Sequence, residues 1–319
     1  LRLDLGRAYA AAWRWGRRLP EPLVRGAMFV AADVVWLKHG SGVRRLEANL
    51  ARVRPDLDTA GLRRLSRRGM RTYLRYFGEA FTLPGRRWAQ IDSRVTVGHR
   101  EAVQPHLDEG RQVVLVLGHL GNWDLAGAWA ARELAPVTTV AERLEPEEVY
   151  QEFLTFREGI GLRIIPTSGT GDVFRQLVRV TRTGPGVLAL LADRDLSAKG
   201  VEVDLFGHRA RVAAGPAALG VSTGAPVVVT AITYERLRGA RRRAARSPWG
   251  IHFEFTEVPT PPADLPTRER IRVMTQAWVD ILGDAIREHP EDWHMLQRVF
   301  IEDLDPDRYA ATVESEATR

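Results

Sequence analysis

The sequence contains no cysteine, which excludes disulfide bridges, a cysteine nucleophile and thiolate metal sites. Lysine is almost as scarce: only Lys38 and Lys199 occur, so nearly all the basic charge is arginine, a bias typical of a GC-rich genome. Long apolar runs are missing too. The longest, Ala27 to Leu37, is broken by Asp33 and falls far short of the roughly 20 residues that span a bilayer, so no transmembrane helix is expected. No signal peptide is evident. Neither an H-E-x-x-H zinc motif nor a Walker A loop occurs, no metal site is expected, and no nucleic-acid-binding module is recognisable.

What is present is the composition of a folded protein, 45% hydrophobic and 27% charged, in a chain of 319 residues that is long enough for one large α/β domain. Charge is distributed unevenly. The first 100 residues carry +13 and the remainder −7, which concentrates basic surface in the first third and points to an anionic partner. Residues 1–83 read as helical, with Val24, Ala27, Met28, Ala31 and Val35 at helical spacing. A second helix, from Thr59 to about Phe81, sets Leu62, Leu65, Tyr73 and Phe77 against Arg64, Arg68, Arg71 and Arg75. Helices with an apolar and an arginine face can lie in a lipid interface, and Trp13 and Trp15 beside Arg14, Arg17 and Arg18 suit the headgroup layer. A helical subdomain with solvated arginines fits the same pattern.

From about residue 94 strands alternate with helices. Strands are expected at 94–97, 113–117, 137–141, 163–165, 187–191, 201–205, 227–234 and 251–256, with helices near 100–109, 122–134, 146–158, 171–182, 213–223 and 267–288. The alternation predicts a mostly parallel or mixed sheet of about seven to eight strands flanked by helices. The expected organisation is one α/β domain over 1–319, with a helical, membrane-associating region at 1–83 and a catalytic core at 84–306. The arginine-rich stretch from Arg236 to Arg246 reads as a mobile basic hairpin loop, and the polar chain after Asp307 as a frayed tail.

The strand at 113–117 runs into Gly118-His119-Leu120-Gly121-Asn122-Trp123-Asp124. On a continuous helix residues five apart lie about 140° round the axis, so His119 belongs in a turn and Asp124 in the first turn of the following helix. The glycines permit a tight path, and Asp124 can then orient His119 so that its other ring nitrogen takes a proton. The same stretch also reads as a plainly capped helix with Asn122 as N-cap. Further polar residues follow later strands: Glu142, Arg157 late in the next helix, and Asp193-Arg194-Asp195. Gathered at one sheet edge they form a polar site of the kind such folds carry. Ser168-Gly169-Thr170-Gly171-Asp172 is a capped turn or an anion loop. Gly220 to Gly224 matches G-x-S-x-G, but helix precedes it and strand follows, the reverse of a serine-hydrolase elbow.

Three stretches together carry a family resemblance: Gly118 to Asp124; Ala192-Asp193-Arg194-Asp195 with Gly200 to Gly207; and Pro290-Glu291-Asp292-Trp293. In this order they resemble the bacterial lysophospholipid and lipid A late acyltransferase superfamily. Residues 141–147 and 156–159 look like those of the actinobacterial phosphatidylinositol mannoside acyltransferases. The lipid A branch commonly has Asp-Gln-Asp where this chain has Asp-Arg-Asp.

The resemblance implies a glycerolipid-acyltransferase-like fold and transfer of a palmitoyl chain from acyl-CoA to a mannose 6-hydroxyl of a phosphatidylinositol mannoside. The donor would be a substrate rather than a tightly bound cofactor. It implies His119 as general base, with either Asp124 or Asp193 on its ring. In the second case Asp124 would pair with Arg157 and shape the site with Glu142. Backbone N–H groups of the turn, or Arg157, would hold the oxyanion. Arg194, Asp195, Arg209 and Arg211 are assigned to acyl-CoA. The enzyme would work peripherally on the cytoplasmic face of the cell membrane, against anionic lipid, without nucleic acid. Two rivals are an acyltransferase for another lipid acceptor and a thioesterase or lipid hydrolase using the same His/Asp pair on water. A non-enzymatic membrane module leaves the polar cluster unexplained.

Overall fold

The computed structural model describes residues 19–142, 147–167, 173–195, 197, 200–307 and 309–310. Trp13, Trp15 and the Ser168–Asp172 loop lie outside the described residues, as do the side chain of Glu142 and most of the polar tail.

The described residues open with three helices: α1 (Glu21–Leu37), α2 (Ser41–Val53) and α3 (Thr59–Thr82). α3 starts on Asp58, whose carboxylate accepts the Gly61 N–H at 2.6 Å, and α1 starts with a proline in its first turn. Val43, Leu46, Leu50, Leu65 and Met70 form a core of their own between α2 and α3. The arginine face of α3 is only partly outward. Arg64 and Arg68 are exposed, but Arg67 and Arg71 both chelate Asp33 of α1, the latter at 2.8 and 2.7 Å, and Arg75 stacks on Trp249. The two arginines hold the Asp33 carboxyl well below its ordinary pKa.

The rest of the chain follows as α4 (Trp88–Asp92), β1 (Val95–Gly98), α5 (Gln104–Asp108), β2 (Gln112–Leu117), α6 (Trp123–Glu133), β3 (Val137–Glu142), α7 (Glu147–Gly159), β4 (Leu162–Thr167) and α8 (Val173–Val180). Then come β5 (Gly186–Leu191), β6 (Gly200–Leu205), β7 (His208–Ala213), α9 (Gly215–Thr223), β8 (Val227–Arg236), α10 (Gly239–Ala245), β9 (Trp249–Glu257) and α11 (Thr267–Glu288).

The main sheet has seven strands in the order β1-β9-β8-β2-β5-β3-β4, parallel throughout except where β8 meets β9. β2 is buried on both faces, which is why Val113 to Leu117 form an unbroken apolar run rather than an alternating one. Val114, Val116, Leu188, Leu190 and Val229 pack on one side against Trp278, Val279 and Leu282 of α11. Val113, Leu115, Leu117, Val187 and Phe253 pack on the other against Leu125 and Trp129 of α6.

The mixed seven-stranded sheet agrees with the expected architecture, and two expectations need correction. The segment 201–205 does not join the main sheet; it pairs antiparallel with His208–Ala213, a strand the sequence pattern did not reveal, as a separate ribbon. Between Arg236 and Arg246 the chain forms α10, pinned by Arg241, which donates to Glu235 at 2.6 Å and to the Ser93 carbonyl. A loop prediction from arginine density missed this because Ser93, one of the two partners, is 148 residues away. The G-x-S-x-G match does close a helix, with Gly224 at φ +71° as its C-cap.

Trp278 is fully buried beneath the sheet. Trp278→Ala should cost about 3–5 kcal/mol through lost burial and the cavity left behind, read as a lower denaturant midpoint with unchanged slope.

Candidate active site

The register of β2 and β5 builds the site. Leu117 lies opposite Leu191, so two residues further along each strand His119 and Asp193 emerge side by side at the carboxyl ends, where sheets of this kind hold ligands. His119 Nδ1 lies 2.6 Å from Asp193 Oδ1, and since a carboxylate only accepts, Nδ1 carries the proton. Asp193 Oδ2 accepts two more donors, the His119 backbone N–H at 2.9 Å and Trp293 Nε1 at 3.0 Å. Asp193 is buried, whereas the His119 side chain keeps 35% of its surface open and its Nε2 has no partner among the described residues.

Burial alone would raise the Asp193 pKa, but the imidazolium and the converging donors outweigh it and hold the carboxyl below its ordinary value. For His119 burial works downward, while the charge and hydrogen bond of Asp193 more than offset it; the net pKa is raised.

The turn is closed by the segment after α11. The His294 N–H donates to the His119 carbonyl at 2.7 Å, the Gly121 N–H donates to the Asp292 carbonyl at 3.0 Å, and Leu120 bridges Trp293. Gly121 has φ +65°, and a Cβ there would lie 2.1 Å from the Ile232 carbonyl oxygen, so only glycine fits. The His119 and Gly121 N–H groups are therefore both engaged, and neither is open to an oxyanion as the sequence reading allowed.

Asp124 does not touch the ring. Buried in the first turn of α6, it accepts Tyr76 Oη at 2.6 Å and Arg157 Nε at 2.9 Å. Burial works against the Arg157 charge, but Asp124 and Tyr76 keep its pKa raised. This pair ties α6, α7 and α3 together. Arg157 is buried on Asp124 and stacked over Phe153, which argues against its role as an oxyanion ligand. Asn122 caps α6 by accepting the Leu125 N–H at 3.0 Å and donates to Glu79 Oε2 at 2.7 Å.

Glu142 ends β3, with its side chain outside the described residues. Of the residues assigned to acyl-CoA, Arg194 directly follows Asp193 and reaches the Arg298 carbonyl through Nε, and exposed Arg209 pairs with Glu202. Arg211 is a correction: it is fully buried and donates to the Gly200 and Ser197 carbonyls, so it holds the loop before β6 and is not presented to a phosphate. The Asp195 carboxylate likewise accepts the Ser197 N–H and shapes that turn.

Tyr76, Glu79 and His294 carry no signal of a site in the sequence, and Asp292 stands out only as part of the stretch Pro290 to Trp293. Tyr76 and Glu79 share one face of α3 but carry no motif. Asp292 accepts the Tyr234 N–H at 2.8 Å and is pushed up to about 7, chiefly by burial. His294 is buried among Tyr73, Tyr76 and Trp123, neither ring nitrogen has a partner among the described residues, and burial lowers its pKa to about 3, so it is neutral.

The family model for bacterial lipid A biosynthesis acyltransferases matches residues 4–301. The chain belongs to that family. Its members transfer acyl groups, and this chain is an acyltransferase. The chain is also 37% identical over 311 residues to the phosphatidylinositol mannoside acyltransferase of Mycolicibacterium smegmatis, covering 96% of this chain and 94% of that protein. The protein of the same name from Mycobacterium tuberculosis is 38% identical over 310 residues, covering 95% and 90%. The three stretches that carry the resemblance, far apart in sequence, meet at the Asp193 carboxylate of this acyltransferase.

The geometry separates the two acids. Asp193→Asn removes the charge that raises the His119 pKa, so burial is left to lower it; the alkaline-going rise of activity should shift to lower pH while the rate drops. Asp124→Asn should leave that midpoint in place. The pair also stabilises the fold between about 3.8 and 6.5: the contribution from Asp193 is lost as pH falls below its ordinary value, and that from His119 as pH climbs through its raised value. Rate profiles and melting curves of the two variants against pH check this.

Proposed function

We propose that this acyltransferase moves a long acyl chain, palmitoyl, from acyl-CoA to the 6-hydroxyl of a mannose on a phosphatidylinositol mannoside. The observation that carries the reading is the His119–Asp193 pair: Nδ1 is fixed on a buried carboxylate, and Nε2 is accessible. A sugar hydroxyl is a weak nucleophile near neutral pH and needs its proton removed as it attacks the thioester carbonyl. His119 Nε2 takes that proton, Asp193 holds the ring and stabilises the imidazolium, and the proton passes to the departing CoA thiolate. Transfer is direct, without an acyl-enzyme, in keeping with a chain that has no cysteine.

The two mycobacterial relatives, which match this chain over nearly its whole length, support a phosphatidylinositol mannoside as the acceptor. Apolar side chains pack behind Trp123, whose ring the His119 imidazole meets edge-on at 5.8 Å, so the histidine borders apolar surface. Arg194, and Arg209 on β7, remain the donor-phosphate residues in this reading. No helix among the described residues is long and apolar enough to cross a membrane. The enzyme works from the cytoplasmic face, held to anionic lipid by its basic first third and by Leu23, Val30 and Leu37, which α1 exposes.

Incubation with palmitoyl-CoA and a panel of mono- and dimannosylated phosphatidylinositols and lysophospholipids, with mass analysis of the lipids, tests the acceptor. Acylated mannoside is the expected product; acylated lysophospholipid alone, or free palmitate unaffected by glycolipid, would overturn the proposal. His119→Ala should lower transfer by roughly a hundredfold to ten-thousandfold with the fold intact.

A further inference from the structure

Away from His119, a cavity of about 330 Å³ lies between α1, α3 and the end of β8 with the start of β9, lined among others by Arg25, Phe29, Arg75, Arg236, Pro248 and Trp249. Its charge is unbalanced. Of the two acids in its wall, Glu21 is held by Arg25 and Arg86, and Glu79 by Arg94 and Asn122. Arg71 is matched by Asp33. Arg75 and Arg236 make no ion pair among the described residues. Both stack on the indole of Trp249, at 3.6 and 4.6 Å, and Arg75 also lies over Tyr234 at 4.8 Å.

Two like charges thus share one ring, and the Arg75 Nη1 is buried without a hydrogen-bond partner among the described residues. That nitrogen has lost its water and gained no acceptor, a costly arrangement unless an anion completes it. Burial, with repulsion from Arg236 added, accordingly lowers the Arg75 pKa.

We propose that this cavity binds the phosphodiester of a lipid headgroup, with Arg75 and Arg236 as its cation pair. Paired guanidinium forks match the two unesterified oxygens of a phosphodiester. The same cavity wall includes Phe29, 47% exposed, and α1 carries Leu23 and Val30 exposed beside it, so apolar tails attached to the phosphate have a surface to follow. From Tyr234 the ring of His294 is 6.5 Å away, and Trp123 links His294 to His119, so an aromatic row connects this cavity to the site of transfer. The proposal rests on the reading of the acceptor as a phosphatidylinositol-based lipid.

The test is sedimentation with vesicles of a neutral galactolipid doped, to equal charge, with either phosphatidylinositol or oleate, which has no phosphodiester. No acyl donor is present. The wild type should prefer the phosphatidylinositol vesicles. Arg75→Met and Arg236→Gln should each weaken that binding about tenfold, the size expected for a lost charged hydrogen bond, and leave binding to oleate vesicles nearly unchanged. Unchanged binding by both variants, an equal loss on oleate vesicles, or displacement of the wild type by millimolar inorganic phosphate would overturn the proposal, the last by identifying a free-anion site. Arg236 is exposed, so Arg236→Gln decides the matter even if Arg75→Met fails to fold. Because no transfer occurs in the assay, failed selectivity refutes this site alone, whereas selective binding without mannoside acylation in the transfer assay refutes the acceptor reading alone.

Discussion

Asp193 is the fixed point of the site. Its two oxygens accept the imidazole of His119, the backbone N–H of the same residue and the indole of Trp293, from β2 and from the segment after α11. A buried carboxylate is costly unless its lone pairs are filled, and here each donor that fills them also places a part of the site. The ring orientation, the path of the turn and the docking of the C-terminal segment all depend on one charge.

Around that point the fold separates chemistry from support. Asp124, which local spacing made the obvious partner of His119, instead joins Arg157 and Tyr76 in a buried bond between three helices. Glu79 performs a similar task for Asn122. The first third of the chain is therefore part of the wall of the active site, since Tyr76 and Glu79 both come from α3. Its arginines divide the same way: Arg67 and Arg71 fasten α1 to α3 through Asp33, while Arg75 turns inward onto aromatic rings.

Much of this was legible from local pattern. The apolar run of β2, the glycine-flanked histidine at its end and Asn122 as the N-cap follow from sterics and from unsatisfied helix N–H groups, which act over a few residues. The ribbon partner 208–213 was not legible, because its alternating arginines resemble an exposed loop until β6 lies beside it. The short helix α10 was hidden for the same reason.

The sequence by itself determined that a histidine would stand in a turn at a strand end, that carboxylates would follow later strands, and that a basic helical region would precede them. Which carboxylate reaches the ring was decided by tertiary structure. Asp124 is five residues from His119 and Asp193 is seventy-four, yet the register of β2 on β5 brings the distant one to 2.6 Å, while the helix carries the near one away. The physical reason is that local geometry sets the direction in which a side chain leaves the backbone, whereas strand pairing sets what it meets.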